Sequence, residues 1–387
     1  MGRLFAPQAN ASSLQLARQY ATQLAIRSAD ALKAGPGGRS SVSGVTATIF
    51  GCSGFLGRYI AQALGSVGTQ LVLPYRCDPL DIQHLRTMGD LGMVVTLGDF
   101  NIRDDDALRK AMAQSNLVVN LIGADAETWN YKFEEVHIDI PSRISRIAKE
   151  LGVERMIHFS ALGANADAPS RRLRTKAQGE EAVWSEMGNA ATIFKPAPIS
   201  GTEDRLFNKY ARMIKMMPML PLVDGGHTRV QPVWVRDVAH AVINALETFD
   251  SMGKTYHLAG PDVHTIKELV EFTYQTVREP PSIVSVPVNV AKFFAAPSDW
   301  ISTRSPVRTN TMASADAIDE LSADLVLPAD AEFTFSDLSV KPHKVTEGVA
   351  IEYLRYFRSG GYDFGTTAPD VVAGGGAGFR SGQAQNA

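Results

Sequence analysis

The chain has 387 residues, of which 45% are hydrophobic, so it can bury a large α/β core and a second, smaller domain. A net charge of −3 at pH 7, without a basic cluster, excludes nucleic acid as a partner. No run of 18 apolar residues predicts a transmembrane helix, and no histidine stands at a recognisable zinc-binding spacing, so we predict no metal site.

The two ends of the chain have compositions unlike the rest. The first 29 residues contain three arginines and no acidic residue, with abundant alanine, serine and glutamine. This composition is typical of a mitochondrial targeting peptide, with a flexible cytosolic arm as the alternative. We assign residues 1–37 to a targeting extension. The Gly-rich residues 366–387 are predicted to be a disordered tail.

A glycine-rich turn joins the first predicted strand to the first predicted helix. The apolar run 45–50 is typical of a buried strand, and the apolar spacing in 55–67 predicts an amphipathic helix. The turn has the pattern G-x-x-G-x-x-G, which permits a sharp bend, a backbone approach to pyrophosphate and close helix packing. The free amide groups of the helix N-terminus would bind the phosphates. The predicted nucleotide-binding residues here are Gly51, Ser53, Gly54, Phe55, Leu56, Gly57 and Arg58. A purely structural turn is the alternative.

Short apolar runs then alternate with helical patterns. The further predicted strands cover residues 70–73, 93–97, 116–122, 155–159 and 191–194. This alternation predicts parallel strands with right-handed crossovers, which is a Rossmann-type doubly wound α/β sheet. We assign residues 38–202 to this NAD(P)-binding domain. Residues 203–365 are assigned to a smaller C-terminal α/β subdomain that adds to the sheet edge and contacts partners.

The residues after the second strand indicate which nucleotide to expect. Asp78 could bind the ribose 2′-hydroxyl of NAD, because an acidic residue serves this purpose about 20 residues after the glycine motif. However, Asp78 followed by Pro79 is also typical of a helix N-cap, which would account for the carboxylate. Arg76 and Arg58 would then bind the 2′-phosphate of NADP. We predict NADPH; NAD with two ordinary surface arginines is the alternative.

Polar and small residues also follow the third and fourth strands. Asp99 could accept a hydrogen bond from the adenine amino group. Leu121 and Gly123 close the fourth strand, where the backbone would lie against the cofactor. Aspartate and glycine are common in turns, so their shared position at strand ends is what favours a nucleotide site.

These motifs resemble the short-chain dehydrogenase superfamily, in its extended, atypical branch. Residues 195–201, which include Pro196, are similar to the loop of that branch beside the nicotinamide. Residues 233–239 are similar to the later signature that opens a helix beneath the substrate region. The resemblance implies that Pro196 contacts the cofactor.

A narrower resemblance concerns the segments 38–44, 74–78 and 84–92, and it extends over about residues 38–260. These segments are similar to nucleotide-binding accessory subunits of mitochondrial respiratory complex I. The resemblance implies partners among the other complex I subunits and a peripheral position on the matrix side of the inner membrane. It also implies bound NADPH that supports assembly and stability rather than carrying electrons.

One departure from the superfamily concerns its catalytic acid. Reductases of this group protonate the substrate with a tyrosine four residues before a lysine, helped by a serine at the end of the fifth strand. Ser160 and Lys176 occupy two of these positions, but Arg172 stands where tyrosine is expected. Arginine cannot deliver a proton at neutral pH, because its pKa lies above about 12. We therefore predict no catalytic residue and no enzymatic activity.

Several alternatives stay open at this point. Lys176 could bond the nicotinamide ribose or be a solvated helix lysine, and Ser160 could be a helix cap or a loop serine. The whole chain could instead be an active NADP-dependent reductase or epimerase on a small organic substrate, or a sensor of the NADPH to NADP ratio.

Three other features of the sequence carry expectations. Cys52 and Cys77 are expected to be free thiols that lie near each other. Residues 204–217 form a helical pattern, and the methionines at 213, 216, 217 and 219 are expected in the core rather than in a subunit contact. Residues 286–297, together with Trp300, are likewise expected to be core rather than a surface for a partner or lipid.

Overall fold

The computed structural model describes residues 38–305 and 314–358. The predicted targeting extension and the Gly-rich tail lie outside these residues. The strands are β1 (Thr46–Phe50), β2 (Gln70–Pro74), β3 (Val94–Leu97), β4 (Leu117–Asn120), β5 (Arg155–Phe159), β6 (Ala191–Pro196), β7 (Ile199–Ser200), β8 (Leu220–Val223), β9 (Arg229–Val230), β10 (Val233–Trp234), β11 (Thr255–Leu258), β12 (His264–Thr265) and β13 (Ile283–Val286).

The α-helices alternate with the strands over the first half of the chain and dominate the last third. They are α1 (Phe55–Ser66), α2 (Asp105–Met112), α3 (Ile140–Leu151), α4 (Arg171–Met187), α5 (Phe207–Met216), α6 (Val235–Glu247), α7 (Ile266–Val277), α8 (Val288–Arg304), α9 (Ala315–Glu320) and α10 (Ala350–Leu354).

Seven parallel strands form the central sheet, in the order β11-β6-β5-β4-β1-β2-β3. The predicted doubly wound α/β fold is therefore confirmed. The strand order reverses between β1 and β4, and their register pairs Phe50 with Asn120. The ends of these two strands therefore open into one crevice, which is where ligands of such sheets bind.

Both faces of the sheet are buried, because successive side chains of a strand point to opposite faces. Ile49 and Val119 belong to the core that includes residues of α1 and α6, whereas Phe50 and Val118 belong to the core beneath α2 and α3. Because helices cover both faces of the sheet, its strands contain continuous apolar runs instead of a strict alternation with polar residues.

A second core lies in the C-terminal part. It is built from α5, α7, α10, β8 and β13, and includes Phe207, Leu220, Leu269 and Leu354. Strand β11 and helix α6 follow residue 202 in the chain but pack in the large sheet and its core. The division into residues 38–202 and 203–365 therefore stays a proposal. In this division, the second part contributes β11 to the edge of the sheet.

The expectation that the methionine cluster is core was wrong for three of its four members. Met213 packs against the second core, but Met216, Met217 and Met219 are exposed. Helix α5 directs Phe207 and Ile214 inward. Met216 is the last residue of this helix, and Met217 and Met219 follow it, so none of the three belongs to the buried face.

The expectation for the apolar segment after residue 286 was also wrong. It forms helix α8, on which Ala295 is the one buried residue. Phe293 and Phe294 are 76% and 74% exposed, and Trp300 is 61% exposed. The apolar residues of α8 do not form one clear stripe, so its sequence does not indicate which face packs against α9, and aromatic side chains remain exposed.

Two further observations concern the described part of the chain. Within residues 38–305 and 314–358, no helix combines the length and apolar character needed to cross a membrane, and no group of three metal-ligating side chains is found. Cys52 and Cys77 are both free thiols. The Cys52 Sγ donates to the Pro74 carbonyl at 3.4 Å, and burial raises the pKa of Cys52 to about 12.

Candidate functional site

The glycine-rich turn leaves no room for side chains. Gly51 has φ of +84°, a conformation that favours glycine. A Cβ on Gly57 would lie 2.4 Å from the Gly51 oxygen and 2.8 Å from the Cys52 Cα. Gly54 is less tightly packed, since its Cβ would lie 3.2 Å from the Gly51 oxygen. The turn therefore brings α1 directly against the end of β1.

The N-terminus of α1 offers backbone donors at the crevice. Its N-cap is Gly54, so no side chain caps the first turn, and the first turn contains no acidic residue. Ser53 and Gly54 are exposed, and Phe55 and Leu56 are partly exposed. Free amide groups and the positive end of the helix dipole suit an anion such as pyrophosphate.

The two arginines predicted to bind a 2′-phosphate have different surroundings. Arg58 donates from Nη1 to both carboxylate oxygens of Glu203, at 2.5 and 2.6 Å. Arg76 is exposed beyond β2, and its Cζ lies 5.1 Å from the ring centroid of Tyr131. The structure therefore leaves the charge of Arg76 available, whereas the charge of Arg58 is compensated.

The carboxylate of Asp78, the residue that would instead favour NAD, is hydrogen-bonded to the backbone. Its Oδ1 accepts a hydrogen bond from the Leu80 N–H at 2.9 Å. No helix begins at Pro79, so the prediction of an N-cap was wrong; the next helical turn is the 3-10 segment Gln83–Thr87. Asp78 closes a turn instead, because aspartate readily bonds the N–H two residues on.

Three other predicted residues follow the ends of β3 and β4. Asp99 is exposed after β3, with φ of +52°. Leu121 lies against the glycine turn, since a Cβ on Gly51 would meet the Leu121 backbone at 3.2 Å. A Cβ on Gly123 would lie 3.8 Å from the Lys176 Nζ, so this glycine faces the lysine.

Lys176 lies close to Ser160 at the end of β5. Its Nζ donates to the Ser160 carbonyl at 3.0 Å. Burial, and secondly the positive charge of Arg172, lower the pKa of Lys176 to about 7. Pro196 is buried at the end of β6, and its carbonyl accepts from the Leu162 N–H at 2.9 Å.

Arg172 does not project into the crevice as a free cation. Its Nε donates to the Glu320 Oε2 at 2.8 Å, and its Nη2 donates to the Glu320 Oε1. The Arg172 and Glu320 side chains are 15% and 19% exposed. This two-point ion pair joins α9 to α4 at the residue where we predicted the departure from the superfamily's tyrosine.

Helix α9 also caps α4. The Asp316 carboxylate accepts from the Arg171 N–H at 2.5 Å, from the Arg172 N–H at 3.2 Å and from the Ser170 hydroxyl at 2.8 Å. Ser170 is the N-cap of α4 but provides no cap with its own side chain. A carboxylate from a distant part of the chain therefore satisfies these N–H groups.

The Ser160 hydroxyl is engaged as well. It donates to the Glu180 Oε1, while the Glu180 Oε2 lies 2.9 Å from the Lys195 Nζ. Burial raises the pKa of Glu180. Sequence reasoning missed Glu180 and Glu320. The spacing of four residues on one helix would have placed Glu180 beside Lys176, but no local signal pairs Arg172 with Glu320.

Two buried histidines lie beneath the same edge of the sheet. The His158 Nδ1 lies 3.2 Å from the Asn120 Nδ2, and the His137 Nδ1 lies 2.9 Å from the Thr175 Oγ1. Burial lowers the pKa of His137 to about 2 and that of His158 to about 3. Both rings are therefore neutral at physiological pH.

Comparison with known proteins agrees with this geometry. Residues 47–259 match the NAD dependent epimerase/dehydratase family. Among solved structures, an NADPH-dependent quinone oxidoreductase of Escherichia coli, complexed with NADPH, has the same fold. Its TM-score is 0.60, its identity is 16%, and the match covers 80% of this chain and 99% of that one.

Two mitochondrial proteins are more similar to this chain in sequence than that solved structure is. The Arabidopsis thaliana protein NADH dehydrogenase (ubiquinone) 1 alpha subcomplex subunit 9, mitochondrial, is 43% identical over 92% of this chain and 88% of its own length. The Mus musculus protein of the same name is 41% identical over 84% of each chain. The chain therefore belongs to the NAD dependent epimerase/dehydratase family and, within it, to the alpha subcomplex subunit 9 family of mitochondrial respiratory complex I.

Proposed function

We propose that the chain is a non-catalytic accessory subunit of complex I that binds NADPH as a structural cofactor. In this role it supports the assembly and stability of the matrix arm near the membrane. One observation supports the proposal: Arg172, where we predicted the loss of the catalytic tyrosine, is ion-paired with Glu320, while the N-terminus of α1 has no side-chain cap.

The nucleotide would lie along the crevice with its pyrophosphate on the N-terminus of α1. Uncapped amide groups and the helix dipole supply the binding energy there. The proposed cofactor-binding residues are Gly51, Ser53, Gly54, Phe55, Leu56, Gly57, Arg58, Arg76, Asp99, Leu121, Gly123, Ser160, Lys176 and Pro196. When bound, the group could supply hydride chemistry, but the residues around it are arranged to hold it.

The choice of NADPH over NADH rests on Arg76. Its guanidinium is exposed beyond β2, where the adenine ribose of a bound nucleotide would lie. Asp78, which would favour NADH, has one carboxylate oxygen bonded to the Leu80 N–H. A 2′-phosphate would gain a charge-assisted hydrogen bond with the arginine.

The side chains around Lys176 that could donate a proton support the absence of catalysis. Arg172 cannot release a proton at neutral pH, and the Ser160 hydroxyl donates to Glu180 rather than to a substrate. One observation favours an active reductase as a second candidate: the pKa of Lys176 is about 7, so its ammonium group could deliver a proton. The two candidates differ in whether NADPH is consumed.

The remaining assignments follow from the family. We propose a peripheral position on the matrix side of the inner membrane, as a partner of other complex I subunits. Residues 203–365 would provide most of the partner contacts, since the exposed Phe293, Phe294 and Trp300 lie there.

The proposal is tested by binding and turnover together. The full chain should bind NADPH with one site and gain stability as ligand is added, by about 2.7 kcal/mol at one hundred times the Kd. Quinones and small carbonyl compounds should leave the bound NADPH reduced. NADPH oxidation that a Lys176→Met substitution abolishes would instead establish the reductase.

The assembly role needs a test in cells. Cells lacking the endogenous subunit are complemented with the wild type or with Gly57→Ala, and complex I is measured on native gels. Gly152→Ala serves as the control, because it strains a φ of +73° at the C-cap of α3, outside the glycine turn, and its Cβ meets no atom within 4 Å. Normal complex I with a subunit that has lost its nucleotide would contradict a structural role for NADPH.

A further inference from the structure

We propose that Tyr131 is a positioning residue for nucleotide specificity. Its ring holds the Arg76 guanidinium beyond β2, where that group distinguishes the 2′-phosphate of NADPH from the 2′-hydroxyl of NADH. This inference rests on the proposed NADPH binding and names the residue that makes Arg76 selective.

The contact is a stack of a cation on an aromatic ring. Arg76 is exposed, and its Cζ lies 5.1 Å from the Tyr131 ring centroid. This distance is within the range in which a guanidinium is attracted to an aromatic face. A free arginine would lose many rotamers on binding a phosphate, and a side chain already held on a ring loses fewer.

The ring is itself held in place. Tyr131 is partly buried and packs against the core beneath α2 and α3. Its N–H donates to the Thr128 Oγ1 at 3.1 Å, and its carbonyl accepts from the Thr128 N–H at 2.9 Å. These bonds fix the turn that carries Tyr131 within the loop between β4 and α3.

A second arginine contacts the same ring. The Arg103 Cζ lies 4.4 Å from the Tyr131 centroid. Arg103 is bound by Glu135, at 2.5 Å from Nε to Oε1 and 2.9 Å from Nη2 to Oε2, and by the Asn130 carbonyl at 2.6 Å. This ion-paired guanidinium steadies the ring, and its charge is compensated.

Arg76 differs from Arg103 in that its charge is not compensated. In the described ranges, no carboxylate forms an ion pair with Arg76, whose contact is the ring. Tyr131 thus orients a cation without neutralising it. That combination suits a site that must bind a phosphate dianion and gain little from a hydroxyl.

The experiment measures the Kd of NADPH and of NADH for the full chain by calorimetry. Tyr131→Leu should weaken NADPH binding about threefold to fivefold, the value of an exposed cation–π contact, and leave NADH binding unchanged. Tyr131→Phe keeps the aromatic face and should bind both nucleotides as the wild type does.

A second substitution keeps the test decisive if Tyr131→Leu folds poorly. Arg76→Lys retains the charge on an exposed side chain but loses the planar group that stacks, so selectivity should fall to the level of Tyr131→Leu. The double variant should lose no more than either single variant, because both remove the same contact.

Each other outcome overturns the inference. Equal weakening of NADPH and NADH by Tyr131→Leu would mean a general structural role. Full selectivity in Arg76→Lys would mean that stacking is irrelevant. Either result leaves the proposed function standing if the wild type prefers NADPH. A wild type that binds neither nucleotide, or both equally, would overturn the NADPH assignment and this inference together.

Discussion

The two ends of the crevice at the β1–β4 switch point differ in how their polar groups are used. At the glycine turn, the N-terminus of α1 has no side-chain cap and no acidic residue in its first turn. At the other end, Arg172 is paired with Glu320 and the Ser160 hydroxyl is bonded to Glu180. The amide groups proposed to bind phosphate are free of side-chain caps, whereas the polar side chains at the other end, the occupied end, are already paired with carboxylates. The difference teaches that two ends of one crevice can differ in how many of their polar groups are left for a ligand.

The largest expected effect concerns the glycine turn. Gly57→Ala places a Cβ 2.4 Å from the Gly51 oxygen, and backbone must move to accommodate it. We expect a loss of about 3 kcal/mol of unfolding free energy and of most nucleotide affinity. Urea unfolding measures the free energy of unfolding, and calorimetry measures the nucleotide affinity. Gly152→Ala, which strains a φ of +73° at the C-cap of α3, should lose about 1 kcal/mol and keep its nucleotide affinity, and an equal loss of affinity would break the comparison.

The second effect concerns the occupied end. Arg172→Met leaves the Glu320 carboxylate, 19% exposed, without its partner, and should lower the unfolding free energy by about 2 to 3 kcal/mol. The double variant Arg172→Met, Glu320→Met should recover at least half of that loss. Arg109→Met, which breaks more exposed pairs with Asp106 and Glu150, should cost less than about 1 kcal/mol. Additive losses in the double variant would contradict the pairing.

The third effect is a pH dependence from the buried histidines. The folded pKa values of His137 and His158, about 2 and about 3, lie below the ordinary value of 6.5. The unfolded chain therefore binds more protons as the pH falls below 6.5, and stability decreases. From pH 7.5 to 5.5 we expect a loss of about 2.7 kcal/mol, since each of the two histidines contributes about 1.4 kcal/mol over this range. A variant with both histidines changed to glutamine should have a flatter profile.

The smallest effect concerns Lys176 in the protein without nucleotide. Its folded pKa, about 7, lies below the ordinary value of 10.5, so the unfolded chain binds more protons above pH 7. Stability should then increase by about 1 kcal/mol from pH 7 to pH 8. Lys176→Met should remove this slope. An unchanged slope in the variant would show that Lys176 keeps an ordinary pKa.

The sheet and the glycine turn were predictable from sequence because their signals are local. Strand β5 was predicted with its bounds Arg155–Phe159, and glycines at 51 and 57 stand where the turn requires them. The occupied end depends on Glu320, which lies 148 residues after Arg172. No periodicity or motif connects two such distant residues.

The C-terminal part was harder to predict for a different reason. Phe293 and Trp300 are apolar, so burial was expected, yet they are exposed on α8. Composition indicates that a helix is apolar but not whether its own chain or another subunit covers it.

The most direct test of the central claim is to identify the nucleotide held by this chain in its native particle. Complex I is purified through the subunit, and the released nucleotide is identified by mass spectrometry before and after incubation with quinones and carbonyl compounds. The account predicts one NADPH for each copy of the chain, still reduced after hours. A small free protein that exchanges its nucleotide and oxidises it with substrate would contradict the account.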